Sequence, residues 1–353
     1  MSTRKKWFWT LFSLALAALS IWGVLSQSKK WSLTGILESL RTADPFWLGA
    51  AVLCTALFVL LEAVALFVLL KGTGYRESFG GSLLYSTSDI YFSAITPSAT
   101  GGQPASAFFM IRDGVPAGAA TATLLVNLIL YTLSLVILGL GSVIAAPGLF
   151  FGLRPLSQVL IAVGFVIQLG LTALFFLLLG KGKLVFDLLR RLVRFLHRKK
   201  LIHRLERRLQ KLDEVQEEFE TCARVMKGKS QMLLHALLWN LLQRASQLAV
   251  PMCMYLALGG KLKNAPLLFA SQCLVVMGYS PVPVPGGMGV ADFLMVDAFS
   301  GLGFIPVEEA FRLDMLSRGL SFYLCVAVSG VITLLGYAAL HRREHKKERK
   351  SVS

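Results

Sequence analysis

Charge is what this sequence has little of: 16% of its 353 residues are charged, against about 25% in soluble chains, while 55% are hydrophobic. That balance excludes an ordinary water-soluble globule. Acidic residues are the scarcer sign, 20 against 36 Lys and Arg, which leaves a net charge of +16. The five cysteines (Cys54, Cys222, Cys253, Cys273 and Cys325) are scattered without a C-x-x-C pair, so neither a disulfide framework nor a thiolate metal site is expected, and they read as packing residues. The chain has no P-loop, no H-E-x-x-H and no Ser-His-Asp order. No nucleotide-driven pumping, catalytic residue, metal or cofactor is therefore expected.

What the chain does have is long apolar runs. They cover Trp7–Leu25, Pro45–Leu70 with only Glu62 charged, Gly114–Leu153 with no charge, Pro155–Gly180, Ser230–Gly260 with only Arg244, and Gly319–Leu340. Each exceeds or approaches the roughly 20 residues that a helix needs to cross about 30 Å of hydrocarbon. The first follows Arg4, Lys5 and Lys6, but it is too long for a signal core and no A-x-A pattern comes after Trp22, so it reads as a retained span.

The basic residues segregate along the chain. Of the 36, 27 fall in the amino-terminal tail, the 71–76 loop, Arg112, the 181–229 segment and the 342–350 tail, and 6 fall in the alternate loops. The positive-inside rule then places both termini in the cytoplasm. The basic segment has no nucleic-acid motif or interleaved aromatics, so its expected partners are anionic lipids of the cytoplasmic leaflet and not nucleic acid.

Two apolar stretches are interrupted. In 78–112 the break is Thr96-Pro97-Ser98-Ala99-Thr100-Gly101-Gly102-Gln103-Pro104, and in 264–304 it is Ser280-Pro281-Val282-Pro283-Val284-Pro285-Gly286-Gly287-Met288-Gly289. Proline removes a backbone donor and glycine loosens the chain, so both breaks free polar backbone at membrane depth. Such backbone persists in a bilayer only when it is buried in protein or lines a wet cavity. Each stretch is therefore expected to be a re-entrant hairpin, the first entering from the cytoplasm and the second from outside, an inverted pair that points to a transport site near the midplane.

The expected fold class is an all-α polytopic membrane protein with about six full spans plus two re-entrant helical hairpins in inverted pseudo-symmetric arrangement and a cytoplasmic helical insertion. The divisions are a first membrane half (1–180), a cytoplasmic basic amphipathic helical segment (181–229), a second membrane half (230–341) and a charged, disordered cytoplasmic tail (342–353). Within the segment, Leu184, Val185, Leu188, Leu192 and Phe195 against Arg190, Arg191, Arg194 and Arg198 predict a helix lying on the leaflet. Leu205, Leu209 and Leu212 predict a second helix returning to the membrane.

Ile95–Gly114 (ITPSATGGQPASAFFMIRDG), Pro281–Gly303 (PVPVPGGMGVADFLMVDAFSGLG) and the Arg of LSRGLSFY (316–323) resemble the membrane region of the lysylphosphatidylglycerol synthase family, the flippase-like domain of multiple peptide resistance factor. The resemblance covers nearly the whole chain. It departs at Gln103 and Ser106, where many members carry Asp and Arg, and at Asp292, where Glu is usual. It implies a multi-pass protein of the bacterial inner (cytoplasmic) membrane. It also implies the translocating half without the synthesising half, since the sequence stops at Ser353 before any acyltransferase-like domain.

The expected function is a flippase-like or scramblase-like translocase for an anionic or aminoacylated phospholipid, such as lysyl-phosphatidylglycerol, or a related lipid-linked head group. Two alternatives stay open: the membrane component of a phosphatidylglycerol lysyltransferase or other lipid-modifying enzyme, and a small-solute secondary transporter. A homo-oligomer and a separate lipid-synthase chain are open as partners. The substrate-binding residues expected at the breaks are Thr96, Ser98, Thr100, Gly101, Gly102, Gln103, Pro285, Gly286, Gly287 and Gly289, whose half-helix amino termini would offer N–H groups to a lipid phosphate. Asp292, Arg318, Arg244 and Glu62 join them as ionisable residues inside apolar segments, where charge is costly, and Asp89, Asp297 and Asp314 share that setting, which calls for a function or for pairing between spans.

Overall fold

The computed structural model describes residues 33–75, 78–96, 99–198, 205–282 and 284–352, and these are helical, with no strand among them. The expected span at Trp7–Leu25 lies outside the described residues. A short helix α1 (Leu33–Thr42) leads into α2 (Pro45–Gly72). Asp44 caps α2 by accepting from the N–H groups of Phe46 (2.9 Å) and Trp47 (3.2 Å), and Pro45 occupies a first-turn position where its missing donor costs nothing.

Helices α3 (Phe79–Ile95) and α4 (Gly102–Arg112) form the first broken pair. They are followed by α5 (Ala117–Ala145), α6 (Pro155–Arg198), α7 (Leu205–Met226) and α8 (Ser230–Ala257). The second broken pair is α9 (Ala265–Tyr279) and α10 (Val290–Ser300), separated by a 3-10 turn at Pro285–Gly287. The chain closes with α11 (Val307–Arg318), a π turn (Gly319–Leu324) and α12 (Cys325–Val352).

Among the described residues, four helical stretches are long and apolar enough to cross a membrane: Pro45–Gly72, Ala117–Ala145, Pro155–Leu177 and Val307–Leu340. Val159, Val163 and Val166 on α6 are 58%, 51% and 70% exposed, an apolar face that suits lipid and not water. Helix α8 has the length but not the apolarity, because it turns Asn240, Gln243 and Arg244 inward. At 15 and 11 residues, α9 and α10 reach only about 22 Å and 16 Å, each short of a crossing. Helices α3 and α4, with 17 and 11 residues, are short in the same way.

The two broken pairs open toward opposite ends of the bundle. At one end the start of α3 and the end of α4 cluster with Leu70 and Leu340 through Leu84, Met110 and Val115, near the bond from Lys229 Nζ to the Gly72 carbonyl. At the other end, Ala298 and Phe299 of α10 cluster with Ala43, Leu153 and Ala257, where the Asp44 N–H donates to the Ala257 carbonyl. Helix α2 runs along α8 between these ends.

Two segments differ from their expected form. The 181–198 stretch is not a separate helix but the unbroken continuation of the 44-residue α6, since isolated glycines such as Gly180 and Gly182 weaken a helix without ending it. Its Leu184, Leu188, Leu192 and Phe195 stripe stays exposed, so the amphipathic pattern is retained. Helix α7 packs back on α6 as a hairpin, held by Arg190, whose guanidinium reaches Asp213 (2.6 Å) and Asp187 (3.0 Å). Residues 342–352, expected as a disordered tail, continue α12, as a run of strong helix formers favours.

Candidate functional site

The second break is built from glycine backbone. Gly286, Gly287 and Gly289 have φ of 60°, 64° and 79°, the left-handed region that costs other residues about 1–2 kcal/mol each. A side chain would also collide: at Gly286 with the ring of Phe322, and at Gly287 with Tyr279, whose Cδ2 lies 2.6 Å from the Cβ position. The turn directs the Gly286 carbonyl at Arg318, which donates to it at 3.0 Å and pairs with Asp292 at 2.7 Å. The other Asp292 oxygen accepts from the Gly289 N–H at 2.8 Å. The amino terminus of α10 is thus occupied by its own carboxylate, in place of the open donor expected there. Both charged residues are buried, Asp292 5% and Arg318 4% exposed.

Asp314 sits one helical turn before Arg318 and is wholly buried, with no hydrogen-bond partner for either oxygen among the described residues. It interacts electrostatically with Asp292 and Arg318. The π turn that follows Arg318 sets Phe322 against Gly286, with the guanidinium 5.4 Å from the ring. Single π turns of this kind recur at functional sites.

The first break is tighter. The Thr96 hydroxyl donates to the Phe92 carbonyl (2.6 Å) and accepts from the Gly101 N–H (2.9 Å), so it closes the turn locally. Gly102 packs on Asp89: a Cβ there would lie 2.6 Å from the Asp89 carbonyl and overlap its carboxylate and Ser93. Ser93 donates to Asp89 at 2.9 Å. Helix α4 begins without a side-chain cap.

Beside it, Gln243 donates to Glu62 at 3.0 Å, and Glu62 interacts electrostatically with Asp89 and Arg244. Arg244 donates to Gln247 (2.6 Å) and lies over the ring of Tyr131, 3.6 Å from its centroid, with Phe58 at 5.1 Å. Aromatic faces attract a guanidinium electrostatically where hydrogen-bond partners are few.

The two clusters are contiguous. The Pro285–Gly287 turn packs against α3, and Tyr279 lies within electrostatic reach of both Arg244 and Arg318. A cavity of about 290 Å³, lined by Arg154, Gly289, Asp292, Phe293, Asp297 and Phe311, opens next to the second cluster. At its rim Arg154 pairs with Asp297 at 3.1 Å, and Ser157 and the Arg154 N–H also donate to Asp297.

Of the residues expected at the site, Gly286, Gly289, Asp292 and Arg318 meet in one cluster, and Glu62, Arg244 and Gly102 in the other. Pro285 and Gly287 belong to the turn, with Gly287 spent on close packing with Tyr279. Thr96 and Gly101 serve the first turn internally, Thr100 is exposed and Gln103 half-buried, and Ser98 lies outside the described residues. Asp89 and Asp314 stand out in the sequence as ionisable residues inside apolar segments, whereas Gln243, Tyr131, Tyr279 and Phe322 were not selected from it.

Membrane-length helices enclosing buried arginines and carboxylates at two broken helix pairs define a multi-pass helical membrane protein with an internal polar site. The chain belongs to the lysylphosphatidylglycerol synthase TM region family, whose model matches residues 10–346. No curated protein matches it.

Proposed function

We propose that the protein moves an anionic or aminoacylated phospholipid, of the lysyl-phosphatidylglycerol type, between the leaflets of a bacterial inner membrane. The observation that carries this reading is the meeting of the two glycine-broken pairs, opened toward opposite ends of the bundle, around buried Arg244 and Arg318 beside a cavity. In a bilayer the pairs act as inverted re-entrant hairpins, with both termini and the 181–229 segment cytoplasmic. Guanidiniums suit a head-group phosphate and the neighbouring carboxylates an ammonium, while acyl chains stay in lipid.

The test is leaflet exchange of a fluorescent anionic phospholipid in liposomes holding the purified protein, read by reduction of the outer-leaflet dye. Exchange should exceed protein-free liposomes and fall at least about tenfold in Gly287→Leu, which forces Tyr279 off the turn, with the variant still inserting. The family description favours a second reading, the membrane component of a phosphatidylglycerol lysyltransferase. Formation of lysyl-lipid from charged tRNA, with no exchange, would support that reading instead.

A further inference from the structure

Each broken pair brings one arginine against two carboxylates. Arg244 faces Glu62 and Asp89, and Arg318 faces Asp292 and Asp314. The pairing is uneven in the second cluster. Arg318 is committed to Asp292 at 2.7 Å and to the Gly286 carbonyl at 3.0 Å, and Asp292 also takes the Gly289 N–H. Asp314 is left over, 0% exposed, with both oxygens bare of hydrogen bonds among the described residues. In this arrangement Asp314 depends on the charge of Arg318 alone, and if that charge is drawn away the replacement cation that demands the least of the surroundings is a proton, since it needs a single oxygen. A metal ion needs several oxygen ligands around it, and no group of three or more acidic, His or Cys side chains that could hold one occurs among the described residues.

We propose that Asp314 is the coupling-ion site of this protein: its carboxyl takes up and releases one proton as the lipid head group engages and leaves Arg318. The proposal rests on the lipid-moving reading above. A phosphate that binds Arg318 competes with Asp292 for the guanidinium. Asp292 and Asp314 are then two neighbouring carboxylates with one fewer cation between them, and a proton on Asp314 restores the balance. The proton forms an O–H bond on one Asp314 oxygen and is lost to water when the head group departs and Arg318 returns to Asp292. The 290 Å³ cavity, lined by Asp292 and Gly289 and open beside Arg154 at its rim, supplies the water path on that side. Facing Asp314 are Asp292 from α10, Arg318 from its own helix and Tyr323 from the π turn. Helix α8, packed on α11, carries Arg244, which is engaged with Glu62 and Asp89.

The test uses the full chain in sodium-free liposomes carrying the fluorescent anionic phospholipid and an internal pH dye. One proton per lipid predicts that a gradient of one pH unit sustains about a tenfold lipid asymmetry between leaflets. Lipid movement should also acidify or alkalinise the lumen in step. Asp314→Asn should lose both responses at whatever rate of exchange it retains, and Asp314→Glu should regain them. If wild-type protein exchanges lipid with no asymmetry under a pH gradient, the coupling proposal fails and the lipid-moving reading survives. If exchange requires added sodium, the proton assignment fails in favour of a metal cation. If wild-type protein exchanges no lipid at all, both readings fall. The wild-type measurements decide the matter even where a variant does not fold.

Discussion

Arg318 is the residue on which the second cluster converges, and its value to the fold is conditional on Asp292. Isolated buried ion pairs contribute little net stability, but removing one partner strands the other, at a cost of about 3–5 kcal/mol. Arg318→Ala should therefore lower stability by about that amount in denaturant unfolding of the detergent-solubilised protein, since it leaves Asp292 and Asp314 both buried without a cation. The neutral pair Asp292→Asn with Arg318→Gln should lose less than the sum of its single changes, because neither member is then a stranded charge. Arg318→Lys should fall between, since one ammonium is a point charge where the guanidinium forks between the Asp292 carboxylate and the Gly286 carbonyl. An Arg318→Ala protein as stable as its parent would mean that water already reaches the pair.

At the scale of helices, close approach is set by where small residues fall. Helix α6 meets α9 with Gly164 against the Met277 carbonyl and the Gly278 Cα, so closely that a Cβ has no room. Gly164→Leu should therefore destabilise by about 1–3 kcal/mol or more as the two backbones part. Gly170, on the same helix with nothing within 4 Å, makes the control. Gly170→Leu should cost nothing and gain up to about 1 kcal/mol by removing a helix-weakening glycine, and equal losses at both positions would refute the packing assignment.

This helix also shows what the sequence revealed and what it hid. Apolar length announces a span and a proline-led Gly-Gly announces a break, because both are local properties of the chain. The continuation of α6 past Gly180 to Arg198 was hidden, since a glycine beside lysines looks like an end until neighbouring packing decides. The π turn at Gly319–Leu324 has no residue signature at all. In the site, the ionisable residues stood out by being inside apolar runs, but their partners did not. Glu62 meets Gln243 across 181 positions of chain, and only the fold brings them together.

For the whole molecule, the consequential feature is that the two broken pairs open to opposite ends, one beside Gly72 and Leu340, the other beside Ala43, Leu153 and Ala257. Inverted hairpins around one site let each face of a membrane gain access in turn while the site stays fixed, whereas hairpins entering from one side would give a closed cup. Charge predicts which end is which, because 27 of the 36 Lys and Arg fall on segments at the Gly72 end or the tails. In a cysteine-free background, single replacements Phe79→Cys and Lys227→Cys should react with a membrane-impermeant maleimide only in inside-out vesicles. Lys263→Cys and Glu308→Cys, all four positions being exposed, should react only in right-side-out ones. Labelling of Phe79→Cys and Lys263→Cys from the same face would place both hairpin mouths in one compartment. No rocking motion could then pass a head group from one leaflet to the other through this site.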